Sequence, residues 1–356
     1  MFTTLCSLSY QIVKSNVKRS RAPIFLSLYI TNRCNLKCKY CFVVDPSYSK
    51  EFLRSQLSFD EIREIIDTLY DQGMRMVFML GGEPLVHRDF DRIVRYIVEK
   101  GVYLQVVSNG LLIHKRLETL RLIHGLCVSI DGPDDVTDFV RGQGVYVAAM
   151  EGIRLAVKNG IPTRIHAVLT RQNIGQIRVL AETCQQLGIE MTISPPNFLG
   201  ETDDDYMRIS TEEYKTFWSG YLELQKEGLP IVNSPVAIRK CQEWPVDYHR
   251  YIRRDEHFPD YKPVFCMNGY TYVAIGADGT MYNCINLGPT NGPNIREHGI
   301  LGAWERLLDY RPDCVSCSSI NCIETALLLK MRLSILREGL RFHKNLFSSL
   351  RRTGTT

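Results

Sequence analysis

Three thiols within eight residues constrain this chain more than any other feature: Cys34-Asn35-Leu36-Lys37-Cys38-Lys39-Tyr40-Cys41. They follow Ile24-Phe25-Leu26-Ser27-Leu28-Tyr29-Ile30, an apolar, aromatic and β-branched run that reads as a strand. The cysteines then sit on a loop at the strand's carboxyl end, free to converge on one metal centre. Three thiolates bind three irons of a cubane and leave the fourth iron open to a non-protein ligand, whereas a fourth thiolate would close the cluster into an electron carrier. No fourth cysteine lies nearby. A zinc knuckle or a surface disulfide pair is the competing reading of the same residues.

Beyond the loop, strand and helix patterns alternate. A capped helix starts at Ser58 and runs through Leu69; helices follow over Asp89–Lys100, Lys115–Ile123, 144–159 and 173–187. Between them the sequence predicts strands over Met76–Leu80, Val102–Val107, Leu126–Ile130, Pro162–Leu169 and Ile189–Ser194. Short gaps between alternating units mean a parallel sheet, and six units rather than eight mean an incomplete barrel. The expected fold class is therefore α/β, with residues 24–194 as the barrel.

Motifs sit just after these strands, where α/β sheets place ligands. They are Gly81-Gly82-Glu83-Pro84, Ser108-Asn109-Gly110, Ser129-Ile130-Asp131-Gly132, and Asp138, Arg141, Gly142 and Gly144. C-x3-C-x2-C with Tyr40 before its last cysteine, followed in order by these motifs, resembles the radical S-adenosylmethionine (SAM) superfamily. The resemblance implies a partial (β/α)6 TIM-like barrel and a [4Fe-4S] cluster on Cys34, Cys38 and Cys41, with SAM on the open iron. One electron then splits SAM into methionine and a 5'-deoxyadenosyl radical. It further implies that Glu83, in the Gly81–Pro84 motif, receives SAM's amino group, that Ser108 and Asn109 lie near ribose and methionine, and that Arg141 pairs SAM's carboxylate beside Ser129 and Asp131. Leu169 and Tyr40 are expected near the adenine. The plainer readings are a turn at Gly81–Pro84, helix capping by Ser129 and Asp131, and loop packing for Tyr40.

A second cysteine group follows: Cys266, Cys284, Cys314, Cys317 and Cys322. Tyr270–Ile275 and Met281–Ile285, joined by Ala277-Asp278-Gly279-Thr280, read as a β-hairpin that brings Cys266 and Cys284 together. Cys314 and Cys317 supply two more ligands, with Cys322 a spare or a replacement for Cys314. C-x12-G-x4-C resembles the SPASM and twitch domains of radical SAM enzymes and implies one auxiliary [4Fe-4S] cluster; structural zinc is the alternative. Cys6, Cys127 and Cys184 are expected to be buried, and Cys241 is a candidate hydrogen-atom donor.

The domain divisions expected are a basic segment over 1–23, the barrel over 24–194, a bridge over 195–262 holding helix Thr211–Lys226, a small hairpin-and-helix iron-sulfur domain over 263–325, and a basic helix and tail over 326–356. Residues 1–21 carry four basic groups and no acid, and residues 330–352 carry seven basic groups against Glu338, so the body between is acidic although the chain's formal charge is +4. The helix expected over 324–347 either docks on the body or rests on anionic lipid. No apolar run is long enough to span a membrane. Cysteine chemistry of this kind needs a reducing compartment, so the expected location is cytoplasmic, with peripheral contact at the membrane's inner face.

The function expected is reductive cleavage of SAM and hydrogen abstraction from an unactivated carbon of a small-molecule or lipid or isoprenoid substrate. The electron donor would be of reductase, flavodoxin or ferredoxin type. Nucleic acid is not expected as a partner, because no basic and aromatic residues interleave. The alternatives are a ribosomal-peptide-modifying SPASM enzyme and a non-catalytic iron-sulfur interaction protein on the same scaffold.

Overall fold

The computed structural model describes residues 2–18, 20–41, 48–196, 207–284 and 292–330. Six strands, β1 (Phe25–Tyr29), β2 (Met76–Leu80), β3 (Tyr103–Ser108), β4 (Gly125–Ser129), β5 (Thr163–Val168) and β6 (Glu190–Ser194), lie parallel, each beside its successor. Every crossover advances the chain by one strand in the same direction, so the sheet curls around one lumen instead of winding both ways from a centre.

Period-two alternation divides each strand between two faces. Leu26 and Leu28, Val77 and Met79, Leu104 and Val106, and Ile165 and Ala167 are fully buried in one core. Helix Phe59–Asp71 adds Ile62, Ile65, Ile66 and Leu69 to that core, and its start is fixed by a capping box between Ser58 and Glu61. Each such side chain contributes about 1.5–3 kcal/mol by leaving water. The opposite face is mixed: Phe25, Met76 and Phe78 pack together on β1 and β2, whereas toward β5 and β6 Arg164 donates to Gln105, and His166 bonds Thr192 at 2.8 Å and Ser194 at 3.1 Å.

The hairpin forms as its turn chemistry predicts, from β7 (Tyr272–Ile275) and β8 (Met281–Tyr282). It is not a separate layer. β7 lies parallel beside β1, and the sheet runs β6-β5-β4-β3-β2-β1-β7-β8.

Several expectations are corrected. The helix expected over Lys115–Ile123 shrinks to Leu117–Leu120, because Arg116 turns inward to Asp91 and to the carbonyls of Leu85 and His87. Residues Asp134–Arg141, singled out for their motif alone, form a helix. Pro235–Gln242 is a further helix, started by Ser234 and missed in the bridge. Cys6 is exposed on helix Phe2–Lys18, whereas Cys127 and Cys184 are buried as expected. That helix docks by burying Ile12 against Ile24, Phe25, Tyr272 and Leu329, and it leaves Tyr10, Val13 and Val17 exposed. The C-terminal helix begins at Ile320 and is described to Leu329; the basic stretch of 331–356 lies outside the described residues, as does the acidic loop over 197–206.

Candidate active site and thiol centres

The turn after β2 is built against the cysteine loop. Gly82 N–H donates to the Thr31 carbonyl at 2.7 Å and Glu83 N–H to the Arg33 carbonyl at 2.9 Å. A Cβ on Gly81 would stand 2.4 Å from Thr31 O, and one on Gly82 would stand 2.5 Å from Arg33 O. The two glycines are thus needed where this chain meets itself, rather than only where a ligand approaches.

That contact aims Glu83 into the lumen's upper end, 1% exposed. Its Oε1 accepts from Ser108 Oγ at 2.9 Å and Leu85 N–H at 3.0 Å, and its Oε2 accepts from Asn109 N–H at 2.7 Å. Burial pushes the Glu83 carboxyl up to about 7, against the pull of these three donors. Among the described residues no Lys or Arg forms an ion pair with it. Its charge acts on the Cys34 thiol, which Cys41 and Cys38 also influence, so the carboxylate and the three thiols share one neighbourhood. Asn109 Nδ2 ties the third-strand motif to Asn35 of the loop at 2.8 Å.

A second junction holds the loop's far end. Arg141 meets Asp131 through both oxygens, Nε–Oδ2 at 2.8 Å and Nη2–Oδ1 at 3.3 Å, and both side chains are buried. The Tyr40 hydroxyl donates to the same carboxylate at 3.0–3.1 Å and accepts from Arg141 Nη2. Lys39 N–H bonds the Val140 carbonyl at 2.9 Å. Tyr40, Asp131 and Arg141 therefore meet, but the guanidinium expected to be free for a ligand is committed to Asp131. Sequence reading missed Asn173 and Thr137, which hold Asp131 from behind: Asn173 Nδ2 donates to the Asp131 carbonyl at 2.8 Å, and Thr137 Oγ1 accepts its N–H at 3.2 Å. Asn173 shortly follows β5, which is the one signal it carried, whereas Thr137 lies inside helix Asp134–Arg141 and carried none.

Ser129 pairs in register with His166 on the polar face. Leu169 packs wholly into the helix-side core, so its side chain is not presented to the lumen. Cys241 is also fully buried; its thiol donates to the Ser318 carbonyl at 3.5 Å beneath Tyr214. It stands with the bridge helices and is not brought to the Cys34–Cys41 loop.

The five C-terminal thiols gather. Burial, then Cys322, Cys284 and Cys314, raise Cys266; the thiols acting most on Cys317 are Cys322, which it hydrogen-bonds, then Cys266 and Cys284. Burial raises Cys314, the Arg311 charge opposes it, and Cys322 and then Asp313 add to the rise. No three His, Cys, Asp or Glu side chains among the described residues close on a single ion. The irons of a cubane occupy different corners, so its thiolates stand farther apart than the four around one zinc. A donor set of thiols alone has the chemistry to hold an iron-sulfur cluster.

Comparison with known proteins adds the deciding observation: residues 28–184 match the model of the radical SAM superfamily. The chain carries a radical SAM domain. That domain takes in the Cys34–Cys41 loop and all the strand-end motifs as far as Arg141, and with it come a [4Fe-4S] cluster and SAM as cofactors. The AdoMet-dependent heme synthase of Methanosarcina barkeri is 26% identical over 83% of this chain and 86% of its own length. That of Nitratidesulfovibrio vulgaris is 25% identical over 79% and 78%. Among solved structures, Streptococcus suis SuiB bound to its precursor peptide SuiA superposes with a TM-score of 0.64 at 18% identity, over 83% of this chain and 68% of that one. The chain thus shares its fold with SuiB. No helix among its described residues is long and apolar enough to cross a membrane.

Proposed function

We propose that this radical SAM enzyme cleaves SAM reductively and abstracts a hydrogen atom from an unactivated carbon of a small molecule. The observation that carries the reading is Glu83: a buried carboxylate held by three donors, with no basic partner among the described residues, beside the Cys34 thiol. A cationic amino group is the ligand that site favours. Cys34, Cys38 and Cys41 would hold the [4Fe-4S] cluster, which when bound supplies the electron that splits SAM. Glu83 receives the amino group, while Ser108, Asn109 and the Gly81–Pro84 turn orient Glu83. Ser129 and His166 line the lumen where substrate enters. Tyr40, Asp131 and Arg141 lock the cysteine loop to β4, a positioning role in place of the expected bond from Arg141 to SAM's carboxylate.

For the auxiliary centre we assign Cys266, Cys284, Cys317 and Cys322 to a second [4Fe-4S] cluster of SPASM or twitch type, with Cys314 at its rim. This set follows the strongest thiol–thiol interactions. Relatives named heme synthase span most of the chain, which makes a porphyrin-type small molecule bearing carboxylates the first substrate class to test. The test is 5'-deoxyadenosine formation by the anaerobically reconstituted enzyme, reduced by dithionite or flavodoxin, with a porphyrin fraction and a lipid extract supplied separately. Stimulation by porphyrins supports the reading, and stimulation by lipid alone moves it to acyl or isoprenoid chemistry. Absence of SAM cleavage with both clusters intact overturns it.

The Glu83 assignment predicts a pH dependence. Only the ionised carboxylate attracts an ammonium, so SAM affinity should fall about tenfold per pH unit below about 7 and level off above it. Binding near pH 7 should release a proton. Because the folded value lies above the ordinary 4.5 of a glutamate, the same group stabilises the ligand-free fold most below pH 4.5, and that contribution is lost as pH rises toward 7, about 3 kcal/mol in all. Equilibrium dialysis of SAM between pH 5.5 and 8 checks this, with Glu83→Gln expected to bind weakly and without slope. A parent profile as flat as the variant's would remove Glu83 from the role.

A further inference from the structure

Away from the thiol centres, a pocket of about 390 Å³ is lined by Arg208, Asp247, His249, Arg250, Tyr251 and Arg253. Three guanidiniums around one concavity oppose each other unless an anion lies between them. Arg250 is answered by Glu256 at 2.6 Å, and neighbouring Arg254 by Asp313 at 3.5 Å. The guanidiniums of Arg208 and Arg253 have no acceptor within hydrogen-bond or ion-pair distance among the described residues. Among the described residues the one carboxylate in the lining, Asp247, already accepts the His249 backbone N–H at 2.8 Å.

The walls are fixed in place. The Arg208 carbonyl accepts from Arg171 Nε at 2.9 Å, and the Ile209 N–H donates to the Tyr248 hydroxyl at 3.2 Å. Tyr248 stacks flat on Tyr214, with ring centroids 4.5 Å apart. On the other side, Ile252 exchanges two backbone hydrogen bonds with Ser316 and Val315, inside the Cys314–Cys317 segment. Arg171 follows β5 by three residues, so it stands at the carboxyl end of the barrel. The pocket's walls are therefore tied to the segment after β5 and to the auxiliary thiol segment; the polar end of a substrate would lie there while its reacting carbon reaches inward.

We infer that Arg208, Arg250 and Arg253 form an anion subsite that grips a carboxylate or phosphate of the substrate, remote from the carbon that reacts. A guanidinium fork binds either anion through paired, charge-assisted hydrogen bonds, and such remote contacts orient a substrate for reaction. The inference rests on the proposal that a small molecule enters the barrel mouth.

Calorimetric titration of the full-length chain, without clusters, tests the subsite apart from catalysis, with citrate and pyrophosphate as separate probes. One of them should bind saturably at one site and weaken in high salt, and the preferred probe tells carboxylate from phosphate. Arg208→Gln with Arg253→Gln should lower that affinity by about 10- to 100-fold. Arg254→Gln, beside the pocket and paired outside it, should leave it unchanged, and equal unfolding midpoints exclude misfolding as the cause. No saturable binding of either probe, or equal binding by parent and double variant, overturns the subsite while leaving the SAM assignment standing. Normal probe binding with no SAM cleavage does the reverse.

Discussion

Replacing Asp131 by asparagine should cost the fold about 3–5 kcal/mol. The change is nearly isosteric, so packing is preserved, but the Arg141 guanidinium is left charged in a buried site without its counter-ion. Burial opposes the charged guanidinium, Asp131 is the largest interaction favouring it, and the net effect holds Arg141 well above its usual value. The same carboxylate oxygens also serve Tyr40 and the Val168 N–H at 3.0 Å, so one substitution loosens the cysteine loop, the helix Asp134–Arg141 and the end of β5 together. Denaturant unfolding of the cluster-free chain measures the loss. Asp131→Asn with Arg141→Met should recover much of it, because the stranded charge is gone. A single-variant cost below about 1 kcal/mol would mean that solvent reaches the pair and that it anchors little.

The second large effect concerns iron. Serine at Cys34, Cys38 or Cys41 should bring 5'-deoxyadenosine formation down to the enzyme-free background, while about half the iron and sulfide stays with the C-terminal thiols. Cys322→Ser should remove the other half. Cys314→Ser should retain nearly all of it, which separates the set chosen here from the simpler C-x2-C expectation. Iron analysis with low-temperature electron paramagnetic resonance reads each centre independently of turnover. If Cys314→Ser loses the auxiliary signal and Cys322→Ser keeps it, the two residues exchange places.

Much of this architecture was legible because local signals and tertiary demands agree. Met76–Leu80 and Thr211–Lys226 form over the residues that apolar runs and helical spacing predict, and Ser58 with Glu61 starts its helix as a capping box should. Glu83 and Asp131 follow strand ends, and Arg141 ends the helix after β4; all three stand beside the Cys34–Cys41 loop. What stayed hidden depends on partners distant in sequence. Nothing in Arg141 itself says that Asp131, ten residues earlier, already holds it. Leu169 and Cys241 have suitable chemistry, yet both face the core, and a single residue's identity does not reveal its facing where an element ends. Cys322 was undecided against Cys314 because chain spacing orders thiols along the sequence and not around a centre.

The parallel pairing of β7 with β1 has a practical consequence for anyone dividing the protein. Phe25 to Leu28 hydrogen-bond across to Tyr272 to Ile275 along the full rung ladder. A fragment ending near residue 262 would look like a complete catalytic barrel on paper, yet it would present β1 as a bare, hydrophobic sheet edge directly beneath the cysteine loop. Such an edge templates pairing between copies, so the truncated protein should clump rather than report the activity of an isolated domain. The C-terminal hairpin extends the sheet at its β1 edge, so the two halves are separable in the reading of the sequence but not at the bench.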